Sequence, residues 1–207
     1  VILTTSLQKE WDNGIRMNMS YTHQDITEAN PGTSSRAISN YQYNVALNRN
    51  EALVGTSNFE IEHRFVLNLG YKTQFVDGYD TSFDLFFSRR SGRPYTYTLG
   101  LYQDDDFGDQ SAAYSNTVYQ VYLPSGADDP NVDFENSRLS YAEMKAIMDD
   151  AGLSKYAGGY APKNSSTQPW TTTLDLKIRQ EIPGFAEGHK GLFYISFKNL
   201  ANLLNDD

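Results

Sequence analysis

Four aspartates fall within six residues: Asp104, Asp105, Asp106 and Asp109. Carboxylate oxygens at that density are the donors Ca²⁺ takes, six to eight at a time. The spacing departs from the EF-hand loop and no glutamate closes it, so a solvated acidic turn competes with a calcium site here. The surrounding region is rich in tyrosine, with Tyr102, Tyr114, Tyr119, Tyr122, Tyr141, Tyr156 and Tyr160. Such rings suit a saccharide or peptide ligand and equally suit the packing of a large loop on itself. The candidate ligand-binding set is therefore Asp104, Asp105, Asp106, Asp109, Tyr114, Tyr119 and Tyr122. His23, His63 and His189 are far apart in the chain and read as structural or interfacial, not as zinc ligands. The chain lacks Gly-x-Ser-x-Gly, a phosphate-cradling glycine loop and His-Glu-x-x-His. Catalysis is not expected, and no cofactor is expected apart from calcium at 104–109.

Charge sharpens the picture. Between Leu101 and Trp170 there are eleven acids and four bases, a net −7 out of −9 for the whole chain. A field of that sign disfavours a nucleic-acid partner, which requires a basic stripe. It also repels anionic ligands and concentrates cations. There is no cysteine, so no disulfide frames the fold. Mean hydropathy is −0.57, and no apolar run is long enough for a membrane-spanning helix. A β-barrel reads as hydrophilic too, because half of every strand faces water.

The elements that must hold these residues are read by parity. Over residues 57–72, Phe59, Ile61, His63, Phe65, Leu67, Leu69 and Tyr71 alternate with Asn58, Glu60, Glu62, Arg64, Val66, Asn68, Gly70 and Lys72. Period two over this length is a long strand between two surroundings. A turn at Asp77-Gly78-Tyr79-Asp80 follows. The pattern then resumes with Phe83, Leu85 and Phe87 against Ser82, Asp84, Ser88 and Arg90, and Phe86 breaks the alternation. The expected unit is a long antiparallel hairpin over 57–100. If Tyr71 pairs with Phe83, then Leu67 faces Phe87 and Phe65 faces Arg89, and the face turns polar beyond that pair, at His63, Ser91 and Arg93, which puts one membrane boundary near Phe65 and Arg89. A soluble sheet would bury that face in a core; a transmembrane barrel would put it in lipid. Arms that reach the roughly 9–11 residues needed to cross a bilayer favour lipid.

Further strands are expected over residues 1–9 and 15–22, joined by Asn13-Gly14, and over 170–182 and 193–198. Ser140 and Glu143 form a capping box before Ala142 or Met144, Ile147, Met148 and Ala151, which share one helical face. A short helix is expected within 36–47. About six strands result, with short turns at 11–14, 75–80 and 183–190 and long loops at 25–56 and 101–168. Strict alternation of short and long connections is the habit of outer-membrane barrels. The fold class expected is all-β: an antiparallel transmembrane β-barrel segment, incomplete with about six strands, bearing long external loops and one short loop helix. Lumen-facing residues are then Glu60, Glu62, Arg64, Asp84, Arg90, Asp175, Lys177 and Arg179. Val1 already stands in a strand-like run, so the chain reads as a piece whose beginning is missing.

Several motifs carry a family resemblance. They are Ser91-Gly92-Arg93-Pro94-Tyr95, Asn164-Ser165-Ser166-Thr167-Gln168-Pro169-Trp170, the run Asp175 to Phe185, and Phe197-Lys198-Asn199-Leu200-Ala201-Asn202-Leu203-Leu204-Asn205. Nearly the whole chain resembles the C-terminal barrel part of TonB-dependent outer-membrane receptors of the Oar-like subgroup, which carry a carboxypeptidase-regulatory-like domain. The plug domain, the energy-coupling box and a last strand ending in an aromatic are absent from these 207 residues. The resemblance implies active uptake of a scarce solute across the outer membrane of a Gram-negative bacterium. It implies outer-membrane lipid, the plug of the same full-length chain and the TonB complex as partners. With the acidic loop, a saccharide or peptide is the expected ligand. A passive porin or adhesin barrel and a soluble β-sheet binding module are the alternatives.

Overall fold

The computed structural model describes residues 1–48, 50–99 and 118–204. Contacts divide the chain into two units. One comprises Val1–Asp25, Ile61–Gly92 and Pro169–Asp207; the other comprises Ile26–Glu60 and Arg93–Gln168.

The first unit is one antiparallel sheet of six strands, each hydrogen-bonded to the next in sequence. They are β1 (Ile2–Glu10), β2 (Ile15–Gln24), β3 (His63–Val76), β4 (Tyr79–Arg90), β5 (Thr171–Pro183) and β6 (Lys190–Phe197). Two-residue periodicity dictates the register. Tyr71 pairs with Phe83, Leu69 with Leu85, Leu67 with Phe87 and Phe65 with Arg89, as the parity of the hairpin requires. Rows then run across several strands. Leu7, Met19, Leu67, Phe87 and Leu174 form one, and Met17, Leu69, Leu85, Leu176 and Phe197 form the next. The opposite face repeats as polar rows: Glu10, Arg16, Gly70, Asp84, Lys177 and Ser196 lie side by side. Tight connections close the short ends. Gly14, at φ +85°, allows the β1–β2 turn to pass so near β3 that a Cβ would stand 2.1 Å from the Lys72 carbonyl oxygen. Among the described residues no helix is long and apolar enough to cross a membrane.

The organising hairpin is shorter than its alternation suggests. Residues 58–62 are not strand. The Glu60 N–H donates to the Ser57 carbonyl at 3.1 Å, closing a turn, and β3 starts at His63. At the other end β4 stops at Arg90, and Pro94–Tyr95 pairs with Ser166–Thr167 instead.

The second unit is built from the long connections. Two-residue strands stitch it together: Thr27–Glu28 with Gly55–Thr56, Thr98–Leu99 with Tyr119–Gln120, and Tyr122–Leu123 with Gly159–Tyr160. The run Tyr119–Leu123 is thus two short strands that pair with different partners. Helix α1 (Ala37–Gln42) falls in the expected window, and α2 (Tyr141–Asp150) carries the capping box of Ser140 and Glu143. The core is Leu123, Met148, Leu153 and Ala161, with Tyr97, Val121, Met144, Ala151 and Tyr156 packed around it. Ile147, expected on the packed face of α2, is exposed instead. Helix α3 (Leu200–Leu204) follows β6.

Candidate functional site

The polar face of the sheet is a cross-braced surface. Asp84 on β4 receives Arg179 from β5 at 2.6 Å and also pairs with Arg16 from β2. Arg16 reaches Asp84 across β3, and this works because Gly70 stands between them: a Cβ there would lie 2.3 Å from Arg16 Nε. Lys72 pairs with Asp80 at 2.6 Å, Lys190 with Glu181 at 2.7 Å and Lys198 with Asp175 at 2.7 Å. Lys177 lies over the Tyr194 ring at 4.6 Å. A cavity of about 520 Å³ opens against this face, lined by Gln8, Arg16, Asn68, Asp84, Asp175 and Lys177 among others.

Six of the eight expected lumen residues lie on this face: Arg64, Asp84, Arg90, Asp175, Lys177 and Arg179. Two do not. Glu60 is buried in the loop unit, where its carboxylate accepts the Ile26 N–H at 2.5 Å. Glu62 precedes β3, and its carboxylate turns to His63 Nε2 at 3.3 Å, on the opposite side of the sheet. Both were placed by an alternation that the turn at 57–60 interrupts.

The loop unit carries a second cavity, of about 730 Å³, bounded by Tyr119, Tyr122, Phe134, Leu139, Met144 and Tyr160 among others. Tyr122 and Tyr160 meet edge to face at 5.3 Å. The Tyr122 hydroxyl donates to the Asp129 carboxylate at 3.0 Å and accepts from Asn131 Nδ2 at 2.9 Å. Asp129 in turn accepts the N–H and hydroxyl of Ser125 at 2.7 and 2.9 Å and the Asn131 N–H at 3.0 Å. Those backbone donors hold its carboxyl far below the usual range, while burial pushes the Tyr122 phenol up. One rim of the cavity is thus braced by an ionised carboxylate, leaving ring faces and apolar side chains to meet a ligand.

Of the expected ligand residues, Tyr119 and Tyr122 come together at this cavity. Asp104, Asp105, Asp106, Asp109 and Tyr114, with the calcium expectation attached to 104–109, lie outside the described residues. Two residues that hold the unit together carry no sequence signal for that role. Lys163, 3% exposed, donates to the carbonyls of Glu28 and Ala29 at 3.3 and 3.1 Å, and burial lowers its pKa. Asn164, at φ +58°, donates to the Thr56 carbonyl and to Asn58 Oδ1, both at 2.6 Å, and exchanges hydrogen bonds with Thr96.

The third cluster was not expected. His23 and His63 occupy directly paired positions of β2 and β3, with their rings stacked at 5.2 Å. They are forty residues apart in sequence and adjacent in space.

A sheet with one apolar face, one ion-paired face, and strands joined by tight turns at one end and long loops at the other defines the wall of an outer-membrane barrel. The chain matches a family described as outer membrane beta barrel domain over residues 2–205, and it belongs to that family. No curated protein and no solved structure matches it. Membership implies the outer membrane of a Gram-negative bacterium and removes the soluble binding module as an alternative. The apolar face fits the bilayer in height. From the His23–His63 row to the Thr73–Thr81 row is ten residues along β3. That is about 34 Å of strand, or about 26 Å of height at a tilt near 40°, against an apolar band of about 25 Å.

Proposed function

We propose that this chain is part of the barrel wall and the ligand-capturing loops of a TonB-dependent receptor that takes up a scarce neutral or cationic solute, a saccharide or a peptide segment. The observation that carries the reading is that the long connections fold into a compact unit of their own, with an aromatic-lined cavity at Tyr119, Tyr122, Phe134 and Tyr160. Loops that merely fence a pore have no need of a core or a ligand-sized cavity. The motifs at 91–95, 164–170, 175–185 and 197–205 supply the resemblance to TonB-dependent receptors. On this reading the plug belongs to the same full-length chain, the TonB complex supplies the energy, and no step of catalysis is assigned to these residues. The passive porin or adhesin remains the competing reading.

The test is uptake of labelled oligosaccharides and peptides by cells carrying the full-length protein. The expected result is uptake that stops when the proton gradient is collapsed or TonB is deleted, and that falls when Tyr122 and Tyr160 are replaced by alanine. Uptake indifferent to the gradient would overturn the receptor reading in favour of a passive pore.

A further inference from the structure

We propose that His23, His63 and Glu62 form a binding site for a divalent transition-metal ion of the zinc class, clamping β2 to β3 at their loop-side ends. One ligating atom from each of the three side chains lies within 4.8 Å of the other two. All three belong to the sheet unit, and His23 and His63 are fixed opposite each other by the strand register. Two imidazoles and a carboxylate are the donor set of zinc and its first-row neighbours; calcium and magnesium prefer all-oxygen shells.

The hydrogen bonds around the rings support ligation. His23 Nδ1 faces the Glu62 carbonyl at 3.2 Å. A carbonyl only accepts, so Nδ1 carries the proton and Nε2 keeps its lone pair. His63 Nδ1 meets the Tyr21 hydroxyl at 2.9 Å, while its Nε2 faces Glu62 Oε1 at 3.3 Å. The Tyr21 hydroxyl can accept Nδ1–H, the tautomer that frees the Nε2 lone pair for an ion held beside the carboxylate. Each ring thus has an oxygen holding its outer nitrogen, the arrangement that orients metal-bound histidines. Zinc bonds of about 2.0–2.1 Å at tetrahedral angles place ligand atoms about 3.4 Å apart. The His63–Glu62 separation of 3.3 Å already fits. The remaining closure is about 1.4 Å at most and falls to side chains with room to turn: Glu62 is 49% and His63 33% exposed. Three protein ligands leave a fourth position for water, so the site holds a metal without a further protein group.

The ion has a task that the sheet defines. β2 runs into the residues 25–62 connection just beyond His23, and β3 emerges from it at His63. A metal bridging the two closes the base of that loop from the sheet side, at the level of Trp170, whose ring stacks on His63 at 5.9 Å and 7°. The site lies on the apolar-face side of the sheet, apart from the cavity against its polar face, so it is no part of a solute path through that cavity.

The experiment uses the full-length protein, purified from outer membranes by a histidine-free tag and stripped with a chelator. Zn²⁺ binding is measured by calorimetry, and Co²⁺ is used as a visible-spectrum probe. The expected result is one high-affinity equivalent, intense tetrahedral Co²⁺ bands, and loss of both in His23→Gln and in His63→Gln. Tyr21→Phe, which keeps all three ligands, weakens Zn²⁺ about ten-fold or more. His189→Gln, in a turn elsewhere, binds as the native protein does. Zn²⁺ binding unchanged in both His23→Gln and His63→Gln, or a Co²⁺ spectrum with only weak octahedral bands, overturns the site. Uptake plays no part in these readouts, so their failure leaves the proposed function untouched.

Discussion

Replacing Leu67 by arginine tests where the hydrocarbon lies. Leu67 sits between Met19 and Phe87 on the apolar face, two rows from His23–His63 and three from Thr73–Thr81. Rows are about 6.8 Å apart along the strand and about 5 Å apart in height at a tilt near 40°. Leu67 therefore lies roughly 10 Å inside one boundary and roughly 15 Å inside the other, close to the midplane. An arginine there costs about 2–4 kcal/mol, against about 0–1 near the interface. The chain already displays the cheaper case: Arg89, one row from the boundary, lays its guanidinium over the Trp170 ring at 5.3 Å. Ile61→Arg, beyond the start of β3, is the matching interfacial substitution. Leu67→Arg is expected to exceed it by about 2–3 kcal/mol, roughly 30- to 140-fold in the folding equilibrium. Reversible urea unfolding of the full-length protein from bilayers, followed by tryptophan fluorescence, reads the difference. Equal losses for the two variants would refute the placement of the bilayer on this face.

Gly14→Ala forces a Cβ against the Lys72 carbonyl at φ +85°. The left-handed conformation alone costs about 1–2 kcal/mol, and the Lys72 N–H bond to the Gly14 carbonyl, now 2.9 Å, is strained as well; the same unfolding assay should show at least that loss. Ser140→Ala removes one half of the capping box on α2, at about 1 kcal/mol, so amide exchange in that helix should quicken about five-fold with β1–β6 unaffected. Asp129 has its carboxyl depressed by backbone donors, so its stabilisation is complete above an unfolded carboxyl near pH 3.9 and drains as pH falls through the lower folded value. Asp129→Asn should speed proteolysis within 118–160 at pH 7, with the gap from the native protein narrowing in strong acid; identical cleavage at pH 7 would show that the carboxylate braces nothing.

The sheet was legible because its register rests on side-chain parity. Once Tyr71 is set opposite Phe83, every later pair of the hairpin follows, since a one-residue slip would invert both faces. Its start is not legible, because Phe59, Glu60 and Ile61 happen to alternate through a turn. The signal there is a carboxylate answering a distant N–H: Glu60 to Ile26, thirty-four residues away. Such long-range bonds leave no periodic trace. The loop unit is legible only where its structure is local, as in the capping box of α2. Lys163 and Asn164 are anonymous in sequence because their partners, Glu28, Ala29, Thr56 and Asn58, come from the other long connection. The histidine pair belongs to the same class: the β2–β3 register makes His23 and His63 neighbours, and nothing local announces it.

Charge is used differently in the two units. On the sheet, acids and bases are matched across strands: Asp84 takes Arg16 and Arg179, Asp175 takes Lys198, and Glu181 takes Lys190. Arg64 and Arg90 are the counter-case, directly paired like charges that form no ion pair among the described residues. In the loop unit the acids outnumber the bases, yet several of the described carboxylates have their oxygens occupied. Asp129 and Glu143 hold backbone N–H groups, Asp133 holds those of Glu135 and Asn136, and Asp149 takes Lys145 and Ser154. A carboxylate engaged in this way keeps its charge and its long-range field but offers few free lone pairs for direct ligation. On the proposed function, these carboxylates therefore steer a cationic or neutral ligand inward and leave its retention to ring faces at Tyr119, Tyr122 and Tyr160. Steering of this kind falls with added salt, whereas stacking does not. The association rate of a cationic ligand should then drop with ionic strength while its dissociation rate stays nearly constant, and a dissociation rate that climbs with salt would place the carboxylates themselves in the grip.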